Sequence, residues 1–220
     1  MASSPASRSS QLTPLQTAVL GAFFARERGF FLTGGAALGG FHLCHRPTDD
    51  LDLFTTDEAA YQRARHALQD VADDVGAALV VRQDTPRFRR VVLTRGDEAL
   101  VVDLVRDGVQ ALPKLDVGDI ILDSPAEILV NKLGALVGRA EERDLVDVMF
   151  LEESGLRVED ALPMALAKDG GCTPATLAWL LAETEIPDGV VLPAGVAPAT
   201  LRAYAAALVV RLRRAALPTP

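Results

Sequence analysis

Residues 45–54 read HRPTDDLDLF, and this stretch constrains the architecture more tightly than any other part of the chain. Side chains alternate between the two faces of a strand, so Asp50 and Asp52 share one face and the leucines that follow them share the other. The pattern predicts a strand over residues 50–55 that carries two carboxylates on one side and apolar side chains on the other.

A third acidic residue, Asp103, stands inside the apolar run LVVDLV at residues 100–105. A strand that is apolar on both faces is typical of the middle of a sheet, where a lone carboxylate is costly unless it is paired or binds a cation. If the two strands are neighbours, Asp50, Asp52 and Asp103 form an all-oxygen site suited to Mg²⁺. The alternative is an edge strand with solvated aspartates and one internal salt bridge.

The other elements follow from apolar periodicity and turn residues. Strands are predicted over 30–32, 78–82, 88–94, 100–105 and 120–122, with a tight turn at 95–98. Helices are predicted over 14–28, 36–43, 57–75, 125–153, 159–168, 174–184 and 198–215. The fold class is therefore α+β: residues 1–11 are a disordered leader, 12–122 an α/β core with a short mixed sheet flanked by helices, and 123–220 a helical region.

Two features beside these elements suggest contact with phosphate. Gly34-Gly35 lies between a predicted strand and a predicted helix, where bare backbone N–H groups can approach a phosphate closely. On a continuous helix over 125–153, Lys132, Arg139 and Arg143 fall on one face, at the margin of the apolar stripe. The alternatives are an ordinary turn for the glycines and a solvated helix edge for the basic row, with an ion pair between Arg143 and Asp147.

The charge balance limits the possible partners. There are 22 basic and 30 acidic side chains, so a net charge of −8 weighs against a surface that binds nucleic acid all round. Local arginine clusters at residues 82–90 and 211–214 are the candidate phosphate contacts, and surface arginines that aid solubility are the alternative. Trp179, in an apolar helical stretch, is expected in the core.

The sequence predicts a cytoplasmic protein with no membrane segment. No apolar run reaches the roughly 18 residues that a membrane span needs. The Ser-rich N-terminus has no apolar segment typical of a signal peptide, and two cysteines make no disulfide framework.

Taken together, the diglycine, HRPTDDLDLF, VVDLV and KLGALVGRAEERDLVDVMFL resemble the AbiEii/AbiGii nucleotidyltransferase toxins of the DNA polymerase β-like superfamily, over about residues 28–152. The resemblance implies a minimal nucleotidyltransferase fold followed by a helical region. It places Gly34 and Gly35 at the nucleotide triphosphate, and it makes Asp50 and Asp52 the metal-binding pair. Asp103 matches the third metal-binding carboxylate, which accepts the proton of the attacking hydroxyl. Further positions match the motif lysine near the phosphates, the last acidic motif, and the basic and hydroxyl residues before the metal pair: Lys132, Asp144, Arg46 and Thr48.

The same resemblance implies an activity. It is Mg²⁺- or Mn²⁺-dependent transfer of an NMP from an NTP to a macromolecular acceptor, expected to be RNA such as a tRNA 3′ end. The protein would be a toxin restrained by a cognate antitoxin. Two alternatives remain open: transfer to a protein or to a small aminoglycoside-like acceptor, and a catalytically silent nucleotide-binding module.

Overall fold

The computed structural model describes residues 10–217. It divides between Ser124 and Pro125 into two compact units. Most of the predicted leader, residues 1–9, lies outside the described residues, while the backbone N–H of Gln11 donates to Gly39 at 3.1 Å.

The first unit contains one mixed sheet and three helical segments. The helices are α1 (Pro14–Phe24), α2 (Gly34–Ala37), which continues as a π-helical turn over Leu38–His42, and α3 (Glu58–Asp74). The strands are β1 (Phe31–Thr33), β2 (Asp50–Thr55), β3 (Ala78–Asp84), β4 (Phe88–Arg95), β5 (Glu98–Arg106), β6 (Leu115–Val117) and β7 (Ile120–Leu122). Their order across the sheet is β3-β4-β5-β2-β1-β7-β6.

The strand predicted to carry Asp103 is central, as expected. β5 lies between β4 and β2, antiparallel to the first and parallel to the second. Its inward-facing Leu100, Val102 and Leu104 are at most 2 % exposed. Strand β1, which is followed directly by Gly34 and Gly35, pairs antiparallel with β2.

The end of helix α1 and the presence of strand β6 differ from the prediction for identifiable reasons. Helix α1 begins at the predicted position, with the Thr13 hydroxyl and Gln16 in a capping box, but it ends at Phe24 instead of Arg28. The buried Glu27 carboxylate accepts from Arg63 at 2.8 Å and from the Gly29 N–H at 2.7 Å, which turns the chain toward β1. Strand β6 was missed because it is three exposed residues long, paired only with β7.

The second unit is helical throughout its described elements. These are α4 (Pro125–Gly138), α5 (Glu142–Glu153), α6 (Val158–Lys168), α7 (Pro174–Glu183), a 3₁₀ turn (Pro193–Gly195) and α8 (Pro198–Ala215). Within residues 10–217, no helix is both long and apolar enough to cross a membrane.

The single helix predicted over 125–153 is in fact two, so the predicted basic row does not exist. Ala140 adopts a left-handed backbone conformation with φ of 47°, which ends one helix and redirects the chain into the next. Arg143 consequently lies on α5, where it pairs with Glu141 at 2.5 Å instead of Asp147.

Trp179 does not lie in the core, contrary to the expectation from its apolar surroundings in the sequence. It is 63 % exposed, while Leu177, Ala178 and Leu181 of the same helix supply the buried face. A strongly apolar helix gives a weak contrast between its faces, so composition alone did not reveal which side is buried.

Candidate active site

The paired aspartates lie on β2, and the strand has the predicted bounds. Burial alternates along it, with Asp50 and Asp52 partly exposed and Leu51 and Leu53 fully buried. The leucines anchor the strand in the core, and the carboxylates are thereby presented together on the other face of the sheet.

Sheet register brings Asp103 next to this pair. Asp52 is the direct partner of Asp103 across the parallel β2–β5 ladder, and directly paired residues share a face. Asp103 is 4 % exposed, so its carboxylate is buried as the sequence predicted.

The diglycine turn packs against the same face. Thr33, the last residue of β1, pairs with Asp52, which places Gly34 beside that carboxylate. A Cβ on Gly34 would lie 2.3 Å from Asp52 Oδ2, and one on Gly35 would lie 2.9 Å from Thr48 Oγ1. Gly34 also has φ of +64°, a conformation that other residues adopt only at a cost. The two glycines are therefore required by the close approach of these side chains.

Thr48 and Arg46 complete the turn. The Thr48 hydroxyl donates to Asp50 Oδ1 at 2.7 Å, and the Thr48 carbonyl accepts from Gln16 Nε2 at 2.7 Å. Arg46 is 8 % exposed, donates from Nη1 to the Pro47 carbonyl at 3.0 Å, and lies against Gly35. In this way seven predicted positions come together in the first unit: Gly34, Gly35, Arg46, Thr48, Asp50, Asp52 and Asp103.

Arg90, which the sequence analysis named only as part of the arginine cluster at residues 82–90, also belongs to this group through its contact with Asp103. Its guanidinium donates to both oxygens of Asp103, from Nε at 2.8 Å and from Nη2 at 2.6 Å. These hydrogen bonds are the main reason that the pKa of Arg90 is raised, and the charges of Asp50 and Asp52 add to the effect. The signal was present in the turn: once Arg95 pairs with Glu98, antiparallel register places Arg90 opposite Asp103.

The donor chemistry of the cluster suits a hard divalent cation. Carboxylate oxygens from Asp50, Asp52 and Asp103 are the ligands that Mg²⁺ and Mn²⁺ prefer. Within the described part of the chain, however, no three His, Cys, Asp or Glu side chains are already grouped closely enough to hold a metal ion. The three carboxylates are therefore of the right chemical type for such a cation. In this structure, however, Arg90 donates hydrogen bonds to both oxygens of Asp103.

The remaining two predicted positions, Lys132 and Asp144, lie in the second unit and contact each other. Lys132 Nζ lies 2.7 Å from Asp144 Oδ1 and 2.7 Å from Asp147 Oδ2. Arg139 makes a second, two-pronged contact with Asp144, at 2.7 and 3.0 Å. Asp147 is thus a further member of this group that was not singled out from the sequence.

Lys132, Arg139, Asp144 and Asp147 form a cluster of ion pairs in the second unit. Burial by itself raises the pKa of the Asp144 carboxyl, but the hydrogen bonds and charges of Arg139 and Lys132 outweigh it, and the pKa lies below its ordinary value. Asp144 and Asp147 are fully buried and Lys132 is 7 % exposed. Lys132 pairs with both buried carboxylates, and Arg139 pairs with Asp144 and, at 3.8 Å, with Glu141, so the charge of Lys132 is balanced by protein groups.

The two arginine clusters are only partly available to a partner. Arg89 pairs with Asp84 at 3.2 Å, Arg90 with Asp103, and Arg211 with Glu152 at 2.5 Å and Glu159 at 2.7 Å. By contrast, four exposed arginine side chains have no ion-pair partner among residues 10–217: Arg82, Arg87, Arg213 and Arg214. A cavity of about 690 Å³ in the second unit, lined by Glu152, Tyr204 and Arg211 among others, contains none of the predicted site residues.

Comparisons with known proteins identify the family and the fold. A family model described as "Nucleotidyl transferase AbiEii toxin, Type IV TA system" matches residues 19–207. No curated protein matches the sequence.

Three solved structures share the fold over 91 % of this chain. A candidate nucleotidyltransferase from Helicobacter pylori is 16 % identical, is covered over 94 % of its length and superposes with a TM-score of 0.55. JHP933 from the same species is 17 % identical, covered over 91 %, with a TM-score of 0.53. MenT4, a nucleotidyltransferase toxin from Mycobacterium tuberculosis, is 14 % identical, covered over 85 %, with a TM-score of 0.51. At these identities the likeness shows the fold, which is the mixed α/β nucleotidyltransferase toxin architecture.

Proposed function

The chain belongs to the AbiEii family of nucleotidyltransferase toxins, and from this premise we propose that it transfers an NMP from an NTP to RNA at a tRNA 3′ end. Family membership makes it a nucleotidyltransferase of a toxin–antitoxin system, with an NTP as substrate. The proposal adds the acceptor, the dependence on Mg²⁺ or Mn²⁺, and action in the cytoplasm under the control of a cognate antitoxin.

One observation carries the proposal. Asp52 and Asp103 are direct partners on adjacent parallel strands, and the Asp52 carboxylate lies against the bare backbone of Gly34. A nucleotide whose phosphates lie along the diglycine turn would therefore meet the carboxylates at its α-phosphate. Metal ligands and phosphate contact are then combined in one place, as phosphoryl transfer requires.

The chemistry assigns a task to each group. Held by Asp50, Asp52 and Asp103, a divalent cation would neutralise charge on the α-phosphate and on the departing pyrophosphate. The acceptor hydroxyl oxygen forms a bond to the α-phosphorus, and the bond from that phosphorus to the bridging oxygen breaks, releasing pyrophosphate. Asp103 takes the proton of the hydroxyl, and Arg46 and Thr48 fix the turn beside it.

The second unit has a supporting role in this proposal. We assign residues 12–122 to the catalytic core and 123–220 to acceptor selection. Within this unit, Asp144 would hold the ammonium of Lys132, the motif lysine of the family resemblance, at 2.7 Å.

RNA is the favoured acceptor because the chain retains exposed arginines that no carboxylate within residues 10–217 neutralises. Arg82 lies in β3, Arg87 lies in the turn between β3 and β4, and Arg213 and Arg214 lie in the last turn of α8. A cationic small molecule is the alternative, and the net charge of −8 favours it.

A labelling experiment separates these acceptors. The full chain and its Asp50→Asn variant are incubated with each NTP labelled at the α-phosphate, with Mg²⁺ and total cell extract, and resolved on a denaturing gel. A labelled RNA band that is absent with the variant supports the proposal, and a labelled protein band or labelled small product redirects it to that acceptor. No label with any NTP, with Mn²⁺ also tried, contradicts it.

The toxin role has a separate test. Expression of the wild-type chain should slow growth, and Asp50→Asn at equal protein level should restore it. Unimpaired growth on expression in the native host without the neighbouring genes would contradict the role.

A further inference from the structure

We infer that Arg90 is an exchangeable counter-ion of Asp103: it occupies this carboxylate in the metal-free enzyme and leaves it when a divalent cation binds, which frees its guanidinium for a substrate phosphate. The inference rests on the proposed function. It concerns the exchange of positive charge at Asp103 when a metal ion binds, and it assigns Arg90 a substrate-binding role.

The geometry of the pair makes exchange feasible. Asp103 is fixed in the centre of the sheet with a side chain 6 % exposed, whereas the Arg90 side chain is 47 % exposed. One partner is therefore held by the core and the other has room to move. The Arg90 guanidinium can swing into solvent without opening the sheet, because the strand itself is held by the buried Val91 and Leu93 on its other face.

The pairing also competes directly with metal binding. Arg90 donates to both oxygens of Asp103, so a cation that takes Asp103 as a ligand must displace at least one of these hydrogen bonds.

The charge of the cluster favours the exchange once a cation is available. Three carboxylates, those of Asp50, Asp52 and Asp103, share this face of the sheet, whereas the Arg90 guanidinium that pairs with Asp103 carries one positive charge. Arg90 lies within the field of all three carboxylates, as the rise in its pKa indicates. A divalent cation carries twice the charge of the guanidinium, and direct ligation places that charge closer to the oxygens.

The displaced arginine remains useful at the site. The guanidinium fork matches phosphate as well as carboxylate. It also lies over the Phe88 ring, 5.5 Å from the centroid, and this contact keeps it on the same face of the sheet. The phosphate that Arg90 binds can belong to the NTP or to the acceptor, and steady-state assays distinguish the two.

Metal affinity without turnover is the direct test. Mn²⁺ binding to the nucleotide-free full chain is measured by electron paramagnetic resonance for wild type, Arg90→Gln and Arg95→Gln. Arg95 is the matched control because it lies on the same strand and pairs with Glu98 at 3.1 Å, away from Asp103. Arg90→Gln should bind Mn²⁺ about tenfold more tightly than wild type, the scale of one charge-assisted pair, and Arg95→Gln should match wild type.

Two other results would overturn the inference. Equal or weaker Mn²⁺ binding by Arg90→Gln overturns the inference while leaving the proposed function standing. If Mn²⁺ binding to wild type is absent, or is unchanged by Asp52→Asn, the metal site of the proposed function itself fails, and the inference falls with it.

Two further measurements complete the design. If Arg90→Gln does not fold, Arg90→Lys replaces it, and Mg²⁺ titration of the wild type should shift the Arg90 Nε–H nuclear magnetic resonance signal that the lysine variant lacks. No shift at saturating Mg²⁺ overturns the inference. In steady-state assays, Arg90→Lys should raise KM about tenfold for the substrate whose phosphate Arg90 contacts. That substrate is the NTP if Arg90 binds the triphosphate, and the acceptor if Arg90 binds the nucleic acid. An unchanged KM for both overturns the phosphate contact.

Discussion

At Gly34 the backbone conformation and the chemistry of the site depend on the same missing side chain. The φ of +64° requires a residue without a Cβ penalty, and the 2.3 Å approach to Asp52 Oδ2 requires that there be no Cβ at all. These two demands are separable, because Gly76 has a similar φ of +68° with no atom within 4 Å of the position that a Cβ would take.

Gly34→Ala and Gly76→Ala should therefore both lower the stability, but only Gly34→Ala should lower the transferase activity. Each should lower the free energy of unfolding by about 1–2 kcal/mol because of the positive φ. Only Gly34→Ala should also lose transferase activity, by about 100-fold, because it displaces a carboxylate beside the reacting phosphate. Denaturant unfolding and initial rates measure the two. Equal activities in the two variants would contradict the assigned geometry.

The sequence predicted the individual carboxylates better than their partners. Alternation along a strand is a local property, so Asp50 and Asp52 could be assigned to one face from residues 50–55 alone. The Arg90–Asp103 pair depends on strand register. To predict it, the residue pairs between β4 and β5 must be counted outward from the turn at 95–98. Apolar periodicity alone does not give these pairs.

Lys132 shows how an element boundary changes the meaning of a residue. On one long helix it would belong to an exposed basic row. The left-handed Ala140 instead starts a second helix, whose Asp144 and Asp147 come within 2.7 Å of the Lys132 ammonium. A single alanine with positive φ has no signal in composition or periodicity, so this break could not be predicted.

Lys132→Met should consequently destabilise the fold as well as lower the activity. It removes the cation that two fully buried carboxylates share, and removal of one partner from a buried ion cluster costs about 3–5 kcal/mol. Arg143→Met is the control: its pair with Glu141 is exposed, so a change below about 1 kcal/mol is expected. A loss below about 1 kcal/mol for Lys132→Met, measured by denaturant unfolding, would show that the cluster is not structural.

Helices α5, α6 and α8 are tied together by Arg211. Burial raises the pKa of the Glu152 carboxyl, but hydrogen bonds from Arg211, Tyr204 and the Val158 N–H outweigh it, and the pKa is lowered. The hydrogen bond from Arg211 likewise lowers the pKa of Glu159. A carboxyl whose pKa is lowered on folding contributes stability above its unfolded-state pKa, and this stability is lost as the pH falls through the folded-state value.

Arg211→Gln should therefore show a pH-dependent loss. The free energy of unfolding at pH 7 should fall by about 1.5–3 kcal/mol, the scale of hydrogen bonds to charged groups. The gap from wild type should narrow below about pH 4.5, the ordinary value from which both carboxyl pKa values are lowered. Arg213→Gln, an exposed neighbour, should change stability by less than about 0.5 kcal/mol. A gap that is constant from pH 7 to pH 3 would contradict the assigned pairing.

For the whole molecule, the charge balance sets how an acidic protein could bind RNA. With a net charge of −8 and several arginines bound to carboxylates, the attraction must come from a few exposed arginines. Composition predicted the overall sign and the two clusters. It could not say which arginines were neutralised, since that depends on contacts between distant elements such as Arg211 with Glu152.

RNA binding should accordingly depend only weakly on salt. Contacts between about four arginines and a single strand give a slope of magnitude about 3 or less when the logarithm of affinity is plotted against the logarithm of salt concentration. Fluorescence anisotropy with a labelled RNA between low and physiological salt measures it, with the Arg82→Gln, Arg87→Gln double variant as the test of local contacts. A slope of magnitude above about 6, or no change in slope in the double variant, would contradict this mode of binding.

The central claim is that the carboxylates of β2 and β5 are the centre of transfer. The decisive measurement is the initial rate of NMP incorporation by Asp52→Asn, which keeps the side-chain shape, beside Asp97→Asn in the exposed β4–β5 turn. We predict a rate at least about 100-fold below wild type for Asp52→Asn with its fold intact, and a wild-type rate for Asp97→Asn. A folded Asp52→Asn protein with a rate within about twofold of wild type would contradict the central claim.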